Sequence, residues 1–302
     1  MWQLITLDKI NIEIHIDELG PYQEHVSEFP YLIGATDLET CLEEAEYHTQ
    51  WIAKAAKYLV YNKDCSIFFC HLHYLDDINH HHLAQIDPSW PSYNEEKSKK
   101  HWDIIKKVYA VIDRMVGTIL DGIDEETYVV MVSDHGNEPS SRLVYMEKYL
   151  YNEGLLKVKD PTLPLSIYHD SWWDNLDWDK TKTYMKPGEY EDPSIYINAK
   201  GEEYNKIKKE LLVKLRTWVD EETGNTPIAI ALSKADAAVL GLWGDSIGDV
   251  VPIMESGYSS WTLPHDLIGK DPVIPVKGVL TAAHGRQLIT AQSTVSSHLA
   301  LF

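Results

Sequence analysis

Basic side chains are in short supply: Lys plus Arg number 27 against 47 Asp plus Glu, a net charge of −20 with histidine neutral. That balance excludes a general nucleic-acid coat and a basic membrane-surface role, which both need a positive face. A small anionic substrate stays open, because a bound cation reverses the local field. Cysteine is also scarce. Cys41, Cys65 and Cys70 are odd in number and form no metal-type pair, so no disulfide framework is expected. Long apolar runs are missing, and no stretch reaches the ~18 residues of a membrane span. Met1 opens no signal peptide, which with the cysteine usage leans towards the cytoplasm. At 302 residues the chain has ample core for one large domain or two ordinary ones.

What is present alternates between helix and strand, which indicates an α/β architecture. Residues 2–15 read as a strand. A helix is expected from about Leu38 to Tyr61 with Asp37 as its cap. Cys65–Leu75 is an apolar strand ending at Asp76, and Asp87-Pro88-Ser89-Trp90-Pro91 breaks into a loop. From Glu95 to Leu120, Ile105, Val108, Ile112, Met115 and Ile119 fall on one helical stripe. A Val-rich run then leads to Asp134, and a helix near Leu143–Asn152 should end at Gly154. Beyond it come a Trp-rich loop at 171–178, strands near Ser194–Asn198, Ile228–Leu232 and Asp249–Met254, and a Lys-rich helix from 202 whose charges read as a solvated face. The last element expected is Gly278–Leu288. The chain closes on HLALF, a strand-like run, and both ends read as cut.

Three segments could carry chemistry. Tyr128–Pro139 delivers Asp134 and His135 from an apolar run onto Gly136, which lets two adjacent side chains reach one ion. Asp and His hold divalent metals. In Leu75–Leu83, Asp76 and His80 are four apart, as are Asp77 and His81. On a helical turn either pair shares a face, and spacing does not choose between them. Ala283-His284-Gly285 adds a third imidazole. Each has a plainer reading: a strand-to-turn junction, a capped helix start with solvated histidines, a lone histidine before a glycine. Together they put two Asp and three His at strand ends, where α/β sheets bind ligands. That set suits two metals sharing a phosphate-like group. The Trp-rich loop reads mainly as packing and secondarily as a lid or leaving-group pocket. His71 and His73 alternate along the strand and are left out of the site.

These residues resemble the type I phosphodiesterase/nucleotide pyrophosphatase family of the alkaline phosphatase superfamily. The resemblance rests on Asp76 to His80 after an apolar strand, the helix 95–120, Ser133-Asp134-His135-Gly136, Gly154-Leu155-Leu156, Ile195–Asn198, Glu222–Gly224, Gly248–Tyr258 and His284-Gly285. It implies a mostly parallel sheet flanked by helices, with an irregular α+β insertion. The core would be residues 1–154 and 276–302 and the insertion 155–275, incomplete at both ends. It implies a hydrolase of phosphodiester or pyrophosphate bonds working through a phospho- or nucleotidyl-enzyme on a small nucleotide-like substrate. It also settles the register, with Asp76, His80 and His284 on one metal and Asp134 and His135 on the other. Zinc is the expected ion and manganese the alternative.

The family's Thr or Ser nucleophile, with a further metal-binding Asp, is not found here. Thr36 lies near Gly34, but its context does not match and it is not assigned. A truncated and nearly inactive piece is therefore expected. Other readings are a different superfamily member (phosphomonoesterase, sulfatase or cofactor-independent phosphoglycerate mutase) or a non-catalytic metal-binding module. Asp-His-Gly-Asn at 134–137 gives the mutase some support.

Overall fold

The structure, a computed structural model, describes residues 27–63, 65–133, 135–163, 171–186, 194–260, 271–276, 281–283 and 298–301. The strand expected at 2–15 lies outside them, as do Asp134 and His284. Contacts divide the chain into two units, one of residues 1–137, 279–282 and 293–302, the other of 138–278 and 283–292.

The first unit runs α1 (Leu38–Asn62), β1 (Phe68–His71), α2 (Tyr74–Ile86), α3 (Glu95–Leu120) and β2 (Val129–Val132), with a third strand from His298–Leu301. α1 begins where expected. The Asp37 carboxylate accepts from Thr40 N at 2.8 Å, and that bond holds its pKa below the ordinary value. α3 starts the same way, Asn94 Oδ1 accepting from Lys97 N at 3.0 Å. Its stripe of Ile105, Val108, Ile112, Met115 and Ile119 is buried against Ala45, Ala53, Ala56 and Leu59 of α1 and Leu75 and Ile78 of α2. Each such side chain contributes about 1.5–3 kcal/mol by leaving water. Ile119→Ala would cost about 2–5 kcal/mol, because the site is fully enclosed.

β1 and β2 both pair antiparallel with the strand His298–Leu301, which lies between them. They therefore run the same way, as a crossover through α2 and α3 requires. The α/β class expected from the sequence is the class observed. Direct ladders here are antiparallel, however, because the late strand separates the two that run together. The Val-rich run does form β2, and Val130, Met131 and Val132 are exposed; among the described residues β2 stands at one end of the three-stranded order.

The second unit holds β3 (Glu138–Val144), α4 (Met146–Asn152), α5 (Ser171–Asn175), β4 (Thr183–Met185), β5 (Ile195–Ile197), α6 (Gly201–Thr217), β6 (Ile228–Ser233), α7 (Lys234–Ala237), β7 (Val250–Met254), β8 (Gly257–Ser260) and β9 (Val273–Pro275). β4, β5, β7 and β6 form one antiparallel sheet in that order. α6 buries Ile207, Leu211 and Leu215, spaced four apart, and Leu211 and Leu215 share a core with Ile195, Ile228 and Val250. β3 pairs parallel with β8 and antiparallel with β9.

β3 corrects the expected start of the following helix. Leu143 and Val144 belong to the strand, and α4 begins only at Met146. It ends as expected at Gly154, whose φ of 71° favours glycine. The Trp-rich loop packs on itself: Trp173 stacks on Trp178 at 5.1 Å, and Tyr184 meets both edge-on.

Buried polar pairs fasten this unit. Arg142 Nη2 donates to Asp220 Oδ1 at 2.8 Å and Nη1 to Glu222 Oε2 at 2.6 Å. The Tyr258 hydroxyl donates to Asp220 Oδ2 at 3.0 Å, so the Glu222–Gly224 turn is held to β3 and β8.

Candidate metal centre at the start of α2

The sequence carries Cys65–Leu75 as one strand, but β1 stops at His71 and α2 begins at Tyr74. Asp76 thus lies in the first turn of a helix, where the dipole favours negative charge. Its carboxylate is buried, and Oδ2 stands 3.2 Å from His80 Nε2 and 3.2 Å from His73 Nε2. Asp77 is less enclosed, with Oδ1 3.7 Å from His73 Nδ1. Hydrogen bonding to Asp76 raises the pKa of His73 above the ordinary value. His73, left out by its strand-like alternation with His71, is brought in because the period changes from two to 3.6 at Tyr74. Its i, i+3 spacing from Asp76 was the available signal.

His80 is pinned from the other side. Its Nδ1 lies 2.7 Å from the carbonyl of Ala282, and its own carbonyl accepts from Thr281 N at 2.8 Å. A carbonyl only accepts, so Nδ1 carries the proton, which leaves Nε2 as the atom turned towards Asp76. A ring nitrogen facing a carboxylate oxygen has either a proton or a cation between the two. Two ligands on a tetrahedral zinc at about 2.0–2.1 Å are about 3.3 Å apart, close to this separation. The Asp76–His80 pair therefore fits two positions of one ion's shell. Among the described residues no group of three or more His, Cys, Asp and Glu is placed to hold a metal ion.

Asn137, which the sequence offered only as a likeness to another family, enters this site. Its Nδ2 donates to Asp76 Oδ1 at 2.7 Å, and its Oδ1 accepts from Asn79 Nδ2 at 3.4 Å. His135 is half-buried, with Nδ1 3.3 Å from the carbonyl of Gly136. Three stretches distant in sequence thus meet at α2: the helix itself, Asn137 three residues after Asp134, and Thr281-Ala282 just before His284.

The three consecutive histidines part company. His80 faces Asp76, whereas His82 is buried between Glu28, which it meets through Nε2, and His101, 2.6 Å from its Nδ1. Burial and the neighbouring His82 push His101 down to about 4. A groove of about 710 Å³ lined by Leu38, Leu42, Glu46, Lys107 and Arg114 includes none of the candidate ligands.

The family model described as Type I phosphodiesterase / nucleotide pyrophosphatase matches residues 13–274. The chain belongs to that family. No curated protein and no solved structure gives a significant match. A type I phosphodiesterase is a hydrolase of phosphoric ester bonds, and the family acts on small phosphodiester or nucleotide substrates. The matched span includes Asp76, His80, Asp134 and His135 and stops ahead of His284. Among the described residues no helix is long and apolar enough to cross a membrane.

Proposed function

We propose that the start of α2, with the segments reaching it at Asn137 and Ala282, is the metal-binding part of a phosphodiester- or pyrophosphate-hydrolysing site. The observation that carries this reading is the meeting of Asp76 Oδ2 and His80 Nε2 at 3.2 Å, with His80 Nδ1 committed to Ala282. Asp76, His80 and His284 would hold one divalent ion, and Asp134 and His135 a second. Zinc suits these donors and manganese is the alternative. When bound, the ions would lower the pKa of an attacking hydroxyl and neutralise charge on the transferring phosphoryl group.

The chain's own residues do the holding. Asp76 stands in the first turn of α2, where the dipole favours negative charge, and the carbonyl of Ala282 holds Nδ1 of His80 so that Nε2 faces Asp76. Burial of both side chains keeps water from competing for them. No Thr or Ser is assigned as nucleophile, Thr36 included. The reading therefore expects ion binding with little turnover and, by analogy with the loss of a protease nucleophile, a rate lower by roughly 10⁶.

Two measurements test it: equilibrium dialysis against zinc or manganese, and release of a chromophore from a bis-aryl phosphodiester with those ions added. Binding with slow or undetectable turnover is expected. Absence of binding overturns the metal reading, and rapid turnover lost in Asp134→Ala overturns the low-activity claim.

A further inference from the structure

Asn137 is nearly as buried as the carboxylate it touches, at 7% and 1% exposure. Its Nδ2 lies 2.7 Å from Asp76 Oδ1, while Asp76 Oδ2 is the atom facing His80 and His73. One oxygen is thus held from behind and the other presented. We propose that Asn137 is a positioning residue that fixes Asp76 as a one-oxygen metal ligand and ties the His135-Gly136 segment that precedes it to α2. This rests on the metal reading above and deepens it, since it names what aims the ligand.

The orientation of the amide is determined. Asn79 Nδ2 donates to Asn137 Oδ1 at 3.4 Å, which leaves Nδ2 for Asp76. The flipped amide would set two oxygens 2.7 Å apart and two NH₂ groups together. Asn79 is itself 1% exposed and lies on α2 between Asp76 and His80, so helix and loop close on each other through one amide pair. A hydrogen bond to a ligating carboxylate narrows its rotation and raises metal affinity, and losing such a partner typically costs about 10–100-fold. Aspartate at 137 keeps the shape but opposes Asp76 with an acceptor and a like charge.

The test is zinc affinity of the whole chain by competition with a chromogenic chelator, joined to the visible spectrum with cobalt(II) and the melting midpoint without metal. Asn137→Ala should bind zinc about 10–100-fold more weakly with an altered cobalt spectrum, and Asn137→Asp should lose at least as much. A purely structural role would instead lower the metal-free melting midpoint and leave the affinity of the folded fraction unchanged. Wild-type affinity and spectrum in Asn137→Ala overturn the positioning role while the metal reading stands. No zinc uptake by the unaltered chain overturns both. If Asn137→Ala does not fold, Asn79→Ala, which removes the contact fixing the amide, should lower affinity severalfold, and an unchanged value overturns the proposal.

Discussion

Asp76 Oδ2 and His80 Nε2 stand 3.2 Å apart, one helical turn from each other on α2, whereas Asp77 turns to His73 at 3.7 Å. Equilibrium dialysis should therefore show one of the two zinc ions lost in Asp76→Ala and both kept in Asp77→Ala. The opposite pattern would move the site to the Asp77–His81 register.

Arg142 and Asp220 form a buried pair, at 6% and 3% exposure. Asp220→Ala leaves a guanidinium enclosed without that partner, and about 3–5 kcal/mol should be lost in urea unfolding. Glu222, whose side chain is 63% exposed, should cost under about 1 kcal/mol as Glu222→Ala. Equal losses would contradict the assignment.

Burial pushes the Glu147 carboxyl from 4.5 up to about 7, and neither of its oxygens has a hydrogen-bond partner among the described residues. The folded chain holds this proton over a range where the unfolded chain has released it. Stability should fall as pH rises from about 4.5 to 7 and level off above, by up to about 3 kcal/mol. Glu147→Gln should remove that slope, so melting curves of the two proteins that stay parallel across this window would count against it.

A Cβ on Gly248 would lie 2.6 Å from Ser194 Oγ and 2.7 Å from the carbonyl oxygen of Ile195, which is backbone and cannot swing away. Gly248→Ala should push β5 away from β7 and cost about 1–3 kcal/mol. An unchanged melting midpoint would show that the two strands part freely.

Much of this was readable in advance where the signal is local. The cap Asp37 and the stripe from Ile105 to Ile119 depend on neighbours within one or two turns, and α1 and α3 form where they were expected. β3 was missed because its partners, Gly257–Ser260 and Val273–Pro275, are more than a hundred residues away, while Leu143 and Val144 lead directly into a true helix. The residues around Asp76 were legible as chemistry but not as geometry. Eleven apolar-rich residues from Cys65 read as one strand, and the change to helix at Tyr74 is what brings His73 beside Asp76. Asn137 carried only the weak signal of following Asp-His-Gly, since nothing local says which carboxylate an amide will meet.

The bare valine-and-methionine margin of β2 governs how this molecule behaves in a tube. Exposed greasy side chains offer other chains a surface to settle on, and no charge at Val130, Met131 or Val132 repels them. Concentrated samples should cloud before dilute ones, and a lysine written into that margin should keep them clear.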